Sequence, residues 1–168
     1  MAEHTLGWFN ALPVDDAHEQ LRACNAAERF VREVVAGRPY ASAADAATTA
    51  ESVSLGLDWD EVCQALEAHP RIGDRAAGDT AEARSSRSEQ SSMDSADDAV
   101  RVALAEGNRT YEERFGHVYL IRAAGRSPVE MLAALQRRLD NDPDTERGEV
   151  TRQLAEITRL RVERLVGS

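Results

Sequence analysis

The residues of this sequence best suited to acid–base chemistry begin with a histidine–proline pair, His69 and Pro70. A proline ring disfavours helical geometry in the residue before it, so His69 is expected at the end of a helix. An imidazole changes its protonation state near neutral pH, which suits it to delivering or accepting a proton. The pair therefore predicts a side chain that faces a reactant.

Three further polar side chains follow at helical spacing. Ser86, Glu89 and Gln90 stand at positions i, i+3 and i+4, which puts a hydroxyl, a carboxylate and an amide on one helix face. The usual explanation of such a pattern is a solvated surface helix, because these residue types are mostly exposed. The histidine–proline pair just upstream argues against that explanation here, so the hydroxyl, carboxylate and amide are expected to project together from one face.

An arginine interrupts an apolar stripe near the end of the chain. Val150, Leu154 and Ile157 follow one another at +4 and +3, and the next member of the series is Arg161. An arginine on an inward-facing stripe either extends its head group to water or meets an anion. The periodicity alone leaves both alternatives open.

Helices must position these side chains, because apolar residues recur at helical spacing along most of the chain. The predicted helices run from Asp15 to about Cys24, Ala26 to Ala36, the cap Ser42 to near Gly56, Asp58 to Ala68, Ser95 to Phe115, Ser127 to about Asp140, and about Thr145 to Val166. Gly107 and Asn108 are a candidate break or kink in the fifth of these. Trp8 and Phe9 are expected to anchor the N-terminal arm to the core.

One segment is predicted to be extended rather than helical. Residues 117–124 contain β-branched and aromatic side chains but form too short and solitary a run for a sheet. The predicted fold class is therefore all-α, a single-domain bundle of about eight helices with one short extended connector. A chain of 168 residues fits one such domain spanning residues 1–168.

Composition limits the classes of partner and compartment. A net charge of -10 argues against nucleic-acid or anionic-membrane partners, which require a basic face. The chain has no apolar run near the roughly 20 residues of a membrane span, and we expect no secretion or peroxisomal signal. Its two cysteines, Cys24 and Cys63, are expected to be buried free thiols in a reducing compartment. Together these features predict a cytoplasmic protein.

Two functions from other classes compete with small-molecule acid–base catalysis. A metal hydrolase would use His69 with Asp74 and Glu89, but the remaining histidines lack a ligand spacing to one another. A non-catalytic helical interaction module would explain an acidic helical bundle. It would not require His69, Glu89 and Arg161 together.

Several motifs, taken together, resemble one family. They are HPRIGD at 69–74, SRSEQ at 86–90, RFG at 114–116 with LIRAAGRS at 120–127, and IxxLRxxxL at 157–165, with FNALP at 9–13 and GRPY at 37–40 as weaker pieces. The chain resembles the OHCU decarboxylases of urate degradation, which convert 2-oxo-4-hydroxy-4-carboxy-5-ureidoimidazoline to (S)-allantoin. HPRIG with a downstream SxxEQ is the specific part of the match, and the similarity extends over nearly the whole chain.

The resemblance implies a carboxy-lyase that protonates its product stereospecifically, usually a homodimer, with no metal and no organic cofactor. His69 matches the family's catalytic histidine, with Pro70 in the site wall, and Glu89 matches a residue with both catalytic and binding roles. The substrate-binding positions implied by the match are Ser86, Arg87, Ser88, Gln90, Ile121, Arg122, Ala123, Ala124, Gly125 and Arg161. The stretch from Ile121 to Gly125 is expected to contact substrate through its backbone.

The sequence departs from the family pattern at two positions. His117 stands where many members have an aromatic residue, and Arg122 stands where some have cysteine. We expect these departures to affect selectivity rather than the reaction itself.

Overall fold

A computed structural model of the chain describes residues 4–71 and 98–167. In these two ranges every regular element is an α-helix, which confirms the all-α class. The helices are α1 (Leu6–Ala11), α2 (Val14–Arg22), α3 (Glu28–Ala36), α4 (Ala43–Leu55), α5 (Trp59–Leu66), α6 (Asp98–Phe115), α7 (Pro128–Arg138) and α8 (Pro143–Val166). Residues 116–127 form neither helix nor strand, so the predicted connector is confirmed.

Side-chain caps explain where several helices begin. The Ser42 hydroxyl accepts a hydrogen bond from the Asp45 N–H at 3.0 Å, at the start of α4. Asp58 and Glu61 form a reciprocal capping box before α5, with each side chain accepting from the other's backbone N–H at 2.9 and 3.0 Å. At the start of α7 the Ser127 hydroxyl accepts a hydrogen bond from the Glu130 N–H at 3.1 Å, ahead of a proline at the first helical position. These boundaries agree with the sequence prediction.

The predicted break at Gly107 and Asn108 is wrong. Helix α6 continues from Asp98 to Phe115, and the two residues lie inside it. A Cβ atom added at Gly107 would collide with the side chain of Leu135 on α7. The glycine therefore lets α6 and α7 approach closely, and the cost of a glycine inside a helix is offset by this packing.

The chain divides into two compact units. The first comprises Met1–Ala65 and Leu154–Ser168, and within it α2 packs on α3 and α3 on α4. Phe9 is fully buried, as predicted, whereas Trp8 is half-buried and stacks on His4 with ring centroids 4.2 Å apart. Both cysteines are free thiols, but only Cys24 is buried and Cys63 is partly exposed.

The second unit comprises Leu66–Gln153, and in it α6 packs against α7. The connector contributes to its core: Tyr119, Ile121 and Ala123 are buried beside Leu104, Tyr111, Met131, Ala134 and Leu135. The extended connector therefore lies inside the helical core of the second unit, where its backbone polar groups require partners.

Among the helices of the described ranges, none is long and apolar enough to cross a membrane.

A buried ion pair lies at the centre of this second unit. Arg138 on α7 donates from Nη2 to Glu146 Oε2 at 2.6 Å and from Nε to the same oxygen at 2.9 Å, and both side chains are almost fully buried. Tyr111 donates its hydroxyl proton to Glu146. The guanidinium also lies 4.8 Å from the ring centroid of Tyr119. Burial alone would lower the pKa of Arg138, but its hydrogen bonds to Glu146 and the charge of that carboxylate raise it.

The burial of this ion pair leads to a prediction about the free energy of unfolding. Glu146→Leu leaves the Arg138 charge buried without its carboxylate, and it should lower the free energy of unfolding by about 3–5 kcal/mol. The double variant Arg138→Met with Glu146→Leu removes both charges and should recover most of this loss. Urea unfolding followed by circular dichroism measures both effects.

Arg152→Met is the control, because Arg152 pairs with Glu149 on the surface and its side chain is 53% exposed. Loss of that exposed pair should change the free energy of unfolding by less than about 1 kcal/mol. Equal effects of Glu146→Leu and Arg152→Met would contradict a special role for the buried pair.

Candidate functional site

His69 lies where the sequence predicted it, immediately after a helix. Helix α5 ends at Leu66, a turn follows, and the backbone N–H of His69 donates to the Leu66 carbonyl at 3.0 Å. His69 and Pro70 are both half-buried. The imidazole is therefore carried on a short segment between the end of α5 and a proline.

The residue after this pair is tied to a different helix. Arg71 donates from Nε and Nη2 to the two carboxylate oxygens of Glu112 on α6, at 2.7 and 3.0 Å. Two hydrogen bonds between one guanidinium and one carboxylate fix the relative orientation of the two side chains as well as the distance between them. The His69–Pro70 segment therefore lies between two contacts within the second unit, the hydrogen bond to the Leu66 carbonyl and the ion pair with Glu112.

Two buried side chains hold the connector by its backbone. Arg138 Nη1 donates to the carbonyl of Leu120 at 2.8 Å, and the N–H of Arg122 donates to Gln153 Oε1 at 2.8 Å. Arg138 and Gln153 are each 1% exposed. The connector therefore obtains from side chains the hydrogen bonds that a neighbouring strand would supply in a sheet.

The five predicted residues of the connector differ in burial. Ile121 and Ala123 are buried in the core, Arg122 and Ala124 are half-buried, and Gly125 is exposed. Since the first two side chains are occupied by packing, the polar groups these residues carry are those of the main chain. Gly125 has a φ of +77°, a conformation that residues with a Cβ rarely adopt.

Burial of Arg161 excludes one of the two alternatives left open by its stripe. Val150, Leu154 and Ile157 are all buried, and Arg161 itself is only 4% exposed. Its Nη1 donates to the carbonyl of Ala23, directly after α2, at 3.2 Å. The alternative in which the head group extends to water is therefore wrong, and Arg161 supplies a buried positive charge.

A small polar cluster supports the loop that Arg161 contacts. Asn25 donates from Nδ2 to Ser54 Oγ at 3.3 Å and to Thr158 Oγ1 at 3.2 Å, and its Oδ1 accepts from the Ala27 N–H at 3.0 Å. Thr158 lies one turn before Arg161 on α8. The cluster thus links the loop bearing the Ala23 carbonyl to the helix bearing the arginine.

His117, one of the two departures from the family pattern, occupies an aromatic environment. Its ring lies 5.4 Å from that of Tyr111 and 6.1 Å from that of Phe115, measured between centroids. Its Nδ1 lies 3.1 Å from the carbonyl oxygen of Val118. The imidazole therefore packs as an aromatic ring would at this position.

The remaining predicted residues, Ser86, Arg87, Ser88, Glu89 and Gln90, lie outside the described residues, as does Asp74 of the competing metal site. His69, Pro70 and Ile121–Gly125 belong to the second unit, and Arg161 belongs to the first. Within residues 4–71 and 98–167, no group of three or more His, Cys, Asp or Glu side chains could hold a metal ion.

Three residues that hold the connector or the segment after His69 were not predicted from the sequence: Arg138, Gln153 and Glu112. The signal for Arg138 was the one that identified Arg161, because Met131, Leu135 and Arg138 follow at +4 and +3 along α7. Gln153 likewise stands between Val150 and Ile157 at +3 and +4 spacing. Glu112 left no such local signal, since its contact with Arg71 joins residues far apart in the chain.

Comparison with known proteins gives two curated relatives. The chain is 30% identical over 161 residues to the uric acid degradation bifunctional protein TTL of Arabidopsis thaliana, covering 92% of this chain and 48% of that protein. It is 27% identical over 126 residues to the 2-oxo-4-hydroxy-4-carboxy-5-ureidoimidazoline decarboxylase of Haloferax volcanii, covering 74% and 73%. The chain thus spans about half the length of the Arabidopsis relative.

Solved structures and a family model agree with these relatives. A crystal structure of OHCU decarboxylase in the presence of (S)-allantoin matches with a TM-score of 0.75 and 26% identity, covering 89% of this chain and 99% of that one. A crystal structure of (S)-allantoin synthase matches with a TM-score of 0.68 and 15% identity, over 94% and 52%, and shows a shared fold alone. Residues 10–163 match the family model of OHCU decarboxylase, and the chain therefore belongs to that family.

Proposed function

We propose that this chain is a carboxy-lyase that converts 2-oxo-4-hydroxy-4-carboxy-5-ureidoimidazoline to (S)-allantoin in urate degradation. The observation that carries the proposal is the family match over residues 10–163, which contains HPRIGD and SRSEQ. The location of His69 just after α5 supports it, because the segment holds an imidazole in a fixed, half-buried position.

The proposed substrate explains why the reaction needs no cofactor. Its carboxylate is attached to a carbon next to a C=N bond, so the electron pair of the breaking C–C bond moves toward that imine as CO₂ leaves. The former imine nitrogen takes up one proton. The carbon bearing the ureido group then accepts a second proton while the hydroxyl gives up its own and becomes a carbonyl, so that one proton is consumed in total. The protein must orient the carboxylate, stabilise developing charge and deliver the proton to one face.

His69 is the proposed proton donor, with Glu89 assisting it. Glu89 and Gln90 are proposed to bind the substrate hydroxyl and ureido N–H groups, together with Ser86 and the intervening residues Arg87 and Ser88. Pro70 would form part of the site wall. The half-buried setting of His69 supports this role, because partial exclusion of water strengthens polar contacts with a ligand.

The connector is proposed to bind the ureido group through the backbone of Ile121–Gly125. Packing of Ile121 and Ala123 in the hydrophobic core supports a main-chain role, because their side chains are occupied by apolar neighbours. Arg161 is proposed to bind a carboxylate or carbonyl oxygen of the substrate. Its burial supports this role, because a desolvated guanidinium interacts with an anion more strongly than a hydrated one does.

The same proposal includes the finer properties expected from the sequence. Residues 1–168 would act as one OHCU decarboxylase domain, as a cytoplasmic homodimer, without metal or organic cofactor and without nucleic-acid or membrane partners. The net charge of -10 supports the last two exclusions.

His69→Asn tests the proton donor. Substrate is generated from urate with uricase and hydroxyisourate hydrolase, and the appearance of optically active allantoin is followed by circular dichroism. The variant should lose at least ~100-fold in rate while keeping its helical spectrum, because the imidazole that delivers the proton is absent.

His18→Asn, the same substitution on α2, should retain wild-type turnover. A folded His69→Asn variant with undiminished turnover would remove His69 from the reaction. An inactive wild-type chain would instead favour the non-catalytic interaction module.

Glu89→Gln tests the polar face of SRSEQ. Loss of the carboxylate should reduce kcat/KM on the order of 100-fold, because both proton transfer and substrate binding are affected. Ser91→Ala, two residues along the chain, should cost less than about threefold. Small and equal losses in the two variants would support a solvated helix face instead.

Arg161→Met tests the buried cation. The substitution keeps side-chain length and packing but removes the charge, so catalytic efficiency should fall roughly 10- to 100-fold. The melting temperature is measured on the same preparation, so that a loss of turnover in a folded variant is separated from a loss of folding.

Arg159→Met is the matched control on the same helix, since Arg159 pairs with Glu51 and Glu163 and is about one-third exposed. It should leave turnover unchanged. If Arg161→Met also leaves turnover unchanged, Arg161 does not belong to the site.

A further inference from the structure

We propose that Arg138 and Gln153 are positioning residues that set the direction in which the connector presents the backbone of Ile121. This inference rests on the proposed function, in which that backbone binds substrate. Neither residue is part of the substrate-binding set expected from the family resemblance.

The two side chains act on the peptide groups that flank Ile121. Arg138 Nη1 donates to the carbonyl of Leu120, and Gln153 Oε1 accepts from the N–H of Arg122, both at 2.8 Å. In an extended backbone, the carbonyl of one residue and the N–H of the residue two positions later point to the same side. The N–H and carbonyl of the residue between them point to the opposite side.

Applied to the connector, this alternation has a direct consequence for Ile121. The bonds to Arg138 and Gln153 take up the side that faces α7 and α8. The N–H and carbonyl of Ile121 therefore face away from these two residues, and within residues 4–71 and 98–167 no hydrogen bond is made to either group. This is the arrangement needed for a main-chain donor and acceptor to contact a ligand.

Each of the two side chains is itself oriented by a carboxylate. Arg138 is held by Glu146 through Nε and Nη2, which aims Nη1 at the Leu120 carbonyl. Gln153 donates from Nε2 to Glu149 Oε1 at 3.1 Å, so the amide oxygen is the atom that meets the Arg122 N–H. A carboxylate thus fixes which atom of each side chain faces the connector.

Gln153 is the residue to test, because substitution of Arg138 threatens the fold. Gln153→Leu keeps the size of the side chain and removes the acceptor of the Arg122 N–H. With substrate generated from urate by uricase and hydroxyisourate hydrolase, kcat/KM should fall about tenfold or more. The pH profile of kcat should keep the wild-type shape, since the proton donor is unaltered.

A swapped pair tests for rescue. Gln153→Glu combined with Glu149→Gln exchanges carboxylate and amide between the two positions, which keeps the net charge and restores an acceptor for the Arg122 N–H. Relative to Gln153→Leu, this double variant should recover at least half of the decrease in log(kcat/KM).

Tyr111→Phe is the structural control. It removes a buried hydrogen bond to Glu146 in the same unit and leaves both bonds to the connector in place. It should lower the melting temperature by an amount similar to Gln153→Leu but reduce kcat/KM less than threefold. Equal activity losses in the two variants, or no rescue by the swapped pair, would overturn the inference. If the wild-type chain is active in the same assay, the proposed function stands independently of that result. An inactive wild type would overturn both.

Discussion

The second unit depends on one interaction, the buried ion pair between Arg138 and Glu146. Burying two charges costs several kcal/mol per ion, and mutual attraction alone often fails to offset that cost. Here the two groups also satisfy the Tyr111 hydroxyl, the Asn141 amide at 3.1 Å and the Leu120 carbonyl at 2.8 Å. The ion pair thus joins α6, α7, the connector and the start of α8. An apolar pair of similar volume would fill the same space but could not bind a carbonyl of the connector.

Arg161 follows the same physical logic in the first unit. Each arginine is buried on an apolar helical stripe, and each donates to a main-chain carbonyl outside regular helix, Leu120 in one case and Ala23 in the other. Arg138 is also paired with the buried carboxylate of Glu146, so its guanidinium binds a side chain and the main chain at once. In both cases a buried guanidinium fixes a main-chain carbonyl that no helix hydrogen bond would hold.

Local signals predicted the fold well because caps and periodicity act within a few residues. Ser42, the Asp58–Glu61 box and Ser127 all cap as predicted, and the solitary segment at 117–124 is a connector. Gly107 was misjudged because its role depends on Leu135 of another helix, which no local pattern reveals. For the site, the histidine–proline pair located His69 at a helix end, and the stripe identified Arg161 as unusual. The Ala23 carbonyl that Arg161 contacts and the Glu112 carboxylate that binds Arg71, two residues after His69, belong to other elements and left no mark in the local sequence.

The contacts of His117 and Arg122 explain how the fold accommodates the two departures from the family pattern. His117 packs among the rings of Tyr111 and Phe115, so an imidazole fills a space that an aromatic residue would otherwise occupy. At Arg122 the group held by the fold is the backbone N–H, which every residue except proline possesses. A change of side chain there leaves the bond to Gln153, and hence the direction of the Ile121 backbone, unaltered. A connector held through its main chain can therefore vary its half-buried side chains and still keep the direction of its backbone.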